Sequence, residues 1–210
     1  DPSTRKIYAA FNYPGVVAHV GAISTETGAT EHLKDIKGPM MYQVTSLAWD
    51  PGARRLFYTT DNAAERDLVM LDPATKKTTV LQRDARIGDL VFNRADKSLW
   101  GVRHFNGIVT LVRMEAPYTD WTRLISFPYG TSMYDIDISP DGTLVAASFG
   151  EITGKQNVRV IPAAQLMKGD ATPVAEFDFP GSVPNNFTFS GDGRYLFGSS
   201  APAFISMRIA

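Results

Sequence analysis

The chain has 210 residues, 44% hydrophobic and 20% charged, which is long enough to bury the core of one large β domain or two small domains. Its 21 basic and 22 acidic side chains give a formal net charge of −1, without the basic excess of a dedicated nucleic-acid binder. It has no cysteine, which excludes disulfides, thiolate zinc sites and cysteine nucleophiles. No apolar run approaches the roughly 18 to 20 residues of a bilayer-spanning helix, so we expect no membrane insertion.

The first 36 residues predict three strands. Apolar or alternating runs occupy residues 6–11, 16–24 and 30–36, and polar, Gly-containing turns separate them. Compared with the units that follow, these runs correspond to the second, third and fourth strands of a unit whose first strand is missing. We therefore predict a partial blade over residues 5–36.

The middle of the chain repeats a four-strand unit. In each copy an aromatic residue or Ile precedes a turn and a Leu follows it. The leading residues Trp49, Phe92, Ile138 and Phe189 are 43, 46 and 51 residues apart, a period typical of propeller blades. Two further strand-like runs follow each of the first three hairpins. The predicted full blades are residues 43–82, 86–127 and 133–178.

The last segment, residues 184–210, predicts first, second and third strands without a fourth. Because the two ends of the chain duplicate strands two and three, they cannot complete one blade together. The chain is therefore expected to be a five-blade ring with two reduced blades or a segment of a longer propeller. Unpaired blade edges favour the second interpretation, because exposed edges promote aggregation.

The predicted fold is all-β. It is a β-propeller of four-stranded antiparallel blades, about five in number or part of a larger propeller. No linker interrupts the chain, so residues 1–210 are treated as a single domain. Within the third full blade, Pro162–Gly169 predicts one helical turn that ends at the glycine.

The hairpin turns carry Asp and Gly, as in Ser139-Pro140-Asp141-Gly142. Such an Asp could suggest calcium binding or a catalytic carboxylate. A structural role is the better interpretation, because Asp accepts hydrogen bonds from turn amides and Gly adopts positive φ at little cost.

These turns also carry a resemblance to known proteins. Ser139–Leu144, Ser190–Leu196 and the looser Asp50–Leu56 resemble the S-P-D-G-x-x-[LI] turn of TolB-like propellers and their WD-repeat-like relatives. The second unit departs from the motif, with Asn93–Asp96 in its place. The resemblance implies a binding module for protein or peptide partners in the periplasm or cell envelope, although a cysteine-free chain suits the cytoplasm as well.

Motifs that carry catalysis are missing. The sequence has no G-x-S-x-G nucleophile elbow, no H-E-x-x-H zinc motif and no phosphate-binding P-loop. We therefore favour a protein that is not an enzyme, and we predict no catalytic residue.

A ligand site in a propeller is expected where the second strands end and the first strands begin, because these loops surround the central channel. The residues that the repeat places there are rich in carboxylates and amides, which suits a small polar ligand. They are Asn12, Asp61, Asp89, Arg103, His104, Tyr134, Asp135, Glu151 and Asn186.

The leading functional prediction is a non-catalytic binding or scaffold module, with no required cofactor. One alternative is a metal-dependent hydrolase similar to gluconolactonase-like propellers. Hard oxygen ligands would then hold Ca²⁺ or Mg²⁺. The residues chosen for that role are Asp61, Asp135, Glu151 and Asn186. Another alternative is the propeller domain of a serine peptidase whose catalytic domain lies outside these residues.

Overall fold

The computed structural model describes residues 1–12, 14–36, 43–61, 66–179, 185–200 and 203–209, without the side chains at 43–45, 61, 185, 200 and 203. That part of the chain contains 18 strands and one four-residue helix. The strands form five sheets, and within each sheet every strand lies beside its neighbours in sequence. Among these residues, no helix has the length and apolarity needed to cross a bilayer.

Each sheet is a meander. The first contains β1 (Lys6–Phe11), β2 (His19–Ser24) and β3 (Thr30–Asp35). The second contains β4 (Gln43–Asp50), β5 (Arg55–Asp61), β6 (Leu68–Asp72) and β7 (Lys77–Gln82). The third contains β8 (Ile87–Asn93), β9 (Ser98–Phe105), β10 (Ile108–Met114) and β11 (Thr122–Ser126).

The fourth sheet contains β12 (Thr131–Ile138), β13 (Leu144–Glu151), β14 (Gln156–Pro162) and β15 (Ala175–Asp178), with the helix α1 (Ala163–Leu166) between the last two strands. The fifth contains β16 (Asn185–Phe189), β17 (Tyr195–Ser200) and β18 (Ala203–Arg208). The predicted all-β propeller fold is confirmed. Three of its blades have four strands, and the first and last have three in the described residues.

The chain divides into two compact units, residues 1–90 and 91–210, termed unit 1 and unit 2, with the boundary inside β8. In unit 1 the core lies between the sheets β1–β3 and β4–β7. Val20 and Leu33 of the first sheet pack with Leu56, Tyr58 and Leu71 of the second. Alternate residues of a strand point to one face, so one face of each sheet supplies these side chains.

Unit 2 contains two cores. The first joins the third and fourth sheets and includes Trp100, Met133 and Phe149. The second joins the fourth and fifth sheets and includes Val160 and Leu196. The fourth sheet therefore buries both of its faces, which explains why β13 is apolar along most of its length instead of alternating.

The S-P-D-G turn is held by its own side chains. The Ser139 hydroxyl donates to Oδ1 of Asp141 at 2.6 Å and accepts the Leu144 N–H at 2.9 Å, while the Thr143 N–H donates to Asp141 at 3.1 Å. The Ser190 turn repeats this pattern, and its hydrogen bonds lower the pKa of Asp192 to about 2. The structural interpretation of the turn aspartates is confirmed. Both carboxylates are used to close hairpins.

The short helix is also where the sequence predicts it. It ends at Leu166, three residues before the predicted stop at Gly169; the glycine has φ of +79°, and its N–H donates to the Leu166 carbonyl at 3.0 Å. Strand β12 begins two residues before the predicted start of its blade, at Thr131.

We predict that Gly142→Ala destabilises unit 2 more than equivalent changes in the Ser190 turn. Gly142 has φ of +76°, and a Cβ there would lie 2.7 Å from both Ala95 Cβ and Asn93 Oδ1. Strain and collision together should cost about 2 to 3 kcal/mol of unfolding free energy. Gly193 has φ of +71° but open space around it, so its Ala variant should cost about 1 kcal/mol.

Urea unfolding checks this order. Gly191→Ala is the control, because nothing lies within 4 Å and its φ is outside the left-handed region. Equal losses for Gly142→Ala and Gly193→Ala would contradict a tight contact between this turn and the turn at Asn93.

Candidate functional site

The nine predicted site residues divide between the two units. Asn12, Asp61 and Asp89 belong to unit 1, and the other six belong to unit 2. Asn12 is exposed just after β1, and Asp89 is half-buried in β8. The side chain of Asp61 lies outside the described residues. A site that the structure defines must therefore be built from unit 2.

One end of the sheets in unit 2 collects most of the remaining residues. At this end β9, β13 and β17 finish, and β12 and β16 begin, as the pairs Thr131–Glu151 and Asn185–Ser199 show. We term this end the upper rim, comprising residues 103–108, 128–135, 150–155, 185–186 and 199. The S-P-D-G turns lie at the opposite end of the same strands.

Asp135 and Asn186 lie at matching irregularities of adjacent first strands. Pairing with the second strand shifts between Tyr134 and Asp137, and again between Asn185 and Thr188. Asp135 has φ of +51° and Asn186 has φ of +56°, the left-handed conformation that bulges use. At each bulge, one polar residue departs from the regular alternation of side chains along the strand.

The two residues are joined by a hydrogen bond from the Asn186 backbone N–H to the Asp135 carboxylate. The Asn186 amide nitrogen lies 3.5 Å from the Ser199 hydroxyl, which extends the polar group to β17. Burial raises the pKa of Asp135, and burial also raises the pKa of Tyr134, with a further contribution from the nearby Asp135 charge. Three predicted residues, Tyr134, Asp135 and Asn186, are therefore brought together.

Asp137 is a neighbour that the sequence analysis did not select. Its Oδ2 accepts the Phe189 N–H at 2.8 Å, which links β12 to β16. Burial raises the pKa of this carboxyl, and the Phe189 and Ile138 N–H groups and Arg94 oppose the shift. The alternation Asp135-Ile136-Asp137 was the available signal, because it places two carboxylates in one strand of a buried sheet.

Glu151 is engaged elsewhere. Its Oε1 lies 3.2 Å from the guanidinium of Arg159, which packs 4.7 Å from the centre of the Phe149 ring and 3.6 Å from Glu176. This ion pair holds the Glu151 carboxylate on the face formed by β13 and β14. Of the four predicted metal ligands, the structure thus places Asp135 and Asn186 side by side and Glu151 in an ion pair. Within the described residues, no three His, Asp or Glu side chains are grouped for a metal ion.

Arg103 and His104 end β9. The Arg103 guanidinium carbon lies 4.8 Å from the ring centre of Phe105 and 5.0 Å from that of Trp121, an arrangement that favours cation–π attraction. His104 is half-buried and pairs with Val109 across the hairpin.

Apolar side chains on the upper rim are the feature that sequence analysis missed. Phe105 is 41% exposed, Tyr129 75% and Ile152 82%. The Tyr129 ring lies against Gly107, in the turn that follows Phe105, and the Ile152 side chain lies against Gly130, so the three residues occupy adjoining connections of the rim. A single exposed apolar residue is ordinary, but several at one end of a sheet beside polar residues are typical of an interaction surface.

No protein-family model matches this chain, and no curated protein does so either. Among solved structures it is similar to TolB from Acinetobacter baumannii, with a TM-score of 0.74 and 17% identity over 99% of this chain and 51% of that one. It therefore spans about half the length of that TolB chain.

A structure of a nidogen/laminin complex matches with a TM-score of 0.74 and 12% identity, over 98% of this chain and 72% of the other. An oligogalacturonate lyase in complex with manganese matches with a TM-score of 0.60 and 10% identity, over 99% and 72%. At these identities the likenesses establish the fold alone. They confirm the resemblance to TolB-like and WD-repeat-like propellers as a structural repeat.

We predict that Asp137→Asn becomes more stabilising, relative to the unchanged chain, as pH rises from about 4 towards 7. An Asp whose folded pKa lies above its unfolded value binds more protons when folded, so its contribution to stability falls as pH rises through the folded pKa. Asn keeps an acceptor for the Phe189 N–H and does not titrate.

Urea unfolding across that pH range measures the difference, with the exposed Asp120→Asn as the matched control. A difference between Asp137→Asn and the unchanged chain that is flat with pH would contradict the raised pKa. Asp137→Ala should follow the same pH trend but be about 1 to 3 kcal/mol less stable than Asp137→Asn throughout, because it leaves the Phe189 N–H without its acceptor.

Proposed function

We propose that this protein is a non-catalytic β-propeller module that binds a protein or peptide partner through the upper rim of unit 2. The observation that carries the proposal is the group of exposed apolar residues Phe105, Tyr129 and Ile152 on adjoining connections of the rim. A few residues supply most of the binding energy at protein interfaces, and Tyr, which this group contains as Tyr129, is among the residue types enriched there.

The surroundings of this group suit a partner that is partly polar. Asp135 and Asn186 lie on the same rim, and the Arg103 guanidinium is stacked beside Phe105. Interfaces commonly combine an apolar centre with a polar margin. An extended peptide could place apolar side chains on Tyr129 and Ile152 and donate hydrogen bonds to the carboxylate of Asp135.

The comparisons support this class of function without defining the partner. TolB is among the similar folds, and the nidogen structure is a complex with another protein. By likeness to TolB, we propose the periplasm or cell envelope as the location. This chain covers 51% of that TolB chain, so any activity of a longer protein that contains it is also a proposal.

Selection of peptides from a random display library on the whole chain tests the proposal. We expect the selected peptides to bind Ile152→Ser about tenfold more weakly, since burial of an Ile side chain stabilises a complex by roughly 1.5 to 3 kcal/mol. Tyr129→Ala should show a similar loss. Binding is measured by titration calorimetry or fluorescence anisotropy.

Val174→Ser is the matched control, because Val174 is 60% exposed but precedes β15, outside the upper rim. Peptides whose affinity falls with Val174→Ser and not with Ile152→Ser or Tyr129→Ala would place the binding surface elsewhere and contradict the proposal.

A metal-dependent hydrolase is the second candidate, favoured by one observation. The Asp135 carboxylate is partly buried, burial raises its pKa, and it accepts the backbone N–H of Asn186, whose side-chain amide lies near Ser199 on the same rim. A divalent cation bound by these oxygens would lower the pKa of Asp135 by stabilising its charge.

Calorimetric titration with Ca²⁺ and with Mg²⁺ checks this candidate in protein purified without chelator. The hydrolase candidate predicts saturable binding of about one cation that Asp135→Asn abolishes and Asp120→Asn leaves intact. Heat changes equal to those of dilution, or binding that survives Asp135→Asn, would remove the candidate.

A further inference from the structure

Unit 1 contains a cavity of about 530 Å³ between its two sheets. One wall is the run of residues 32–36, in and just after β3, and the other is Tyr58 and Thr60 of β5. The volume falls within the usual range of small-molecule sites. None of these residues belongs to the upper rim, so the cavity is independent of the function proposed above.

Tyr58 is the first sign that the cavity is built for a ligand. The residue is only 3% exposed, yet its hydroxyl has no hydrogen-bond partner among the residues that the structure describes. The hydroxyl oxygen is not among the fully buried polar atoms that lack a partner, so it is open to the cavity and available to donate to a bound acceptor. Burial and the nearby Asp67 charge raise the pKa of Tyr58 to about 12, so the phenol is a permanent donor.

Two further hydrogen-bond donors, Thr60 and Lys34, line the cavity. The Thr60 oxygen accepts the Asp67 N–H at 3.1 Å, and within the described ranges its own hydrogen has no acceptor. Tyr58 and Thr60 are two residues apart in one strand and therefore face the same side. Lys34 lines the opposite wall, and no carboxylate of the described residues lies within ion-pair distance of its ammonium group.

The acidic and apolar parts of the lining restrict the ligand further. Asp35 is engaged by His32, whose Nε2 lies 2.7 Å from its Oδ1, and the His32 ring stacks on His19 at 4.3 Å. Leu33 and Ile36 are almost fully buried and give the cavity an apolar side. Three unused donors with one positive charge favour an anionic acceptor, and the two aliphatic residues favour a short hydrocarbon tail.

We propose that this cavity binds a small aliphatic monocarboxylate. The carboxylate oxygens accept hydrogen bonds from the Tyr58 and Thr60 hydroxyls and from the Lys34 ammonium group, and the alkyl chain packs on Leu33 and Ile36. Hydrogen bonds to a charged acceptor are roughly twice as strong as those between neutral groups, which sets the preference for the ionised acid.

The test uses butyrate as the probe and butyramide as its uncharged counterpart, titrated into the whole chain with ¹³C-labelled Leu, Ile and Thr methyl groups. We expect saturable NMR shifts at Leu33, Ile36 and Thr60 with butyrate, and at least fivefold weaker binding of butyramide. Shifts confined to methyl groups outside the cavity, or equal affinity for the acid and the amide, would overturn the proposal.

Variants identify the donors. Tyr58→Phe should weaken butyrate binding about tenfold, as expected for loss of one hydrogen bond to a charged group. Tyr8→Phe is its control, because Tyr8 packs on Trp49 in the same unit and does not line the cavity. Lys34→Met should weaken binding at least as much, and the exposed Lys77→Met should leave it unchanged.

We do not expect a folding defect to change the butyrate affinity of Tyr58→Phe. Tyr58→Phe removes only a hydroxyl that has no partner in the described part of the chain, so its thermal unfolding should match that of the unchanged protein. Unchanged butyrate affinity in Tyr58→Phe, with methyl shifts still at the cavity, would show that the phenol is not a ligand group and would overturn the assignment.

Discussion

Face-to-face packing of consecutive sheets is the interaction on which the rest of this structure depends. In unit 2 the fourth sheet is covered on both sides, by Trp100 and Phe127 from one neighbour and by Phe189 and Leu196 from the other. A sheet buried on both faces must be apolar along the middle of its strands. Exposed polar groups therefore concentrate at the ends of the strands, and the ends become the places where recognition can occur.

The same packing explains the buried carboxylates of β12. Asp135 and Asp137 accept N–H groups of Asn186 and Phe189 on β16, so they satisfy backbone donors that sheet pairing does not use. Ser46 does the same in unit 1 by accepting the Leu90 N–H at 2.9 Å. These carboxylates join adjacent first strands, and burial raises the pKa of both. An aspartate at this position thus has a structural role in addition to any role in binding.

The blades could be predicted from sequence because the hairpin repeat is local. Ser139, Asp141 and Gly142 interact mainly within a few residues, and the turn forms as the sequence predicts. Strand ends were less accurate. β12 begins at Thr131, two residues before the predicted start of its blade. The bulges at Asp135 and Asn186 depend on register, which a sequence alone does not give.

The candidate site could be predicted only in part for the same reason. The repeat placed Tyr134, Asp135 and Asn186 together, but it could not reveal that Glu151 pairs with Arg159. The exposure of Tyr129 and Ile152 could not be predicted either, because both residues lie in connections that the repeat does not describe. The unpaired hydroxyl of Tyr58 was equally hidden, since that side chain occupies a strand position that is apolar in pattern.

The central claim is that the upper rim of unit 2 is the binding surface, and hydrogen–deuterium exchange with a bound selected peptide tests it most directly. We expect slower exchange at residues 105–108 and 150–155, with unchanged exchange in the turns at 140–143 and 190–194 at the opposite end of the strands. Protection of those turns, with no change at the upper rim, would contradict it.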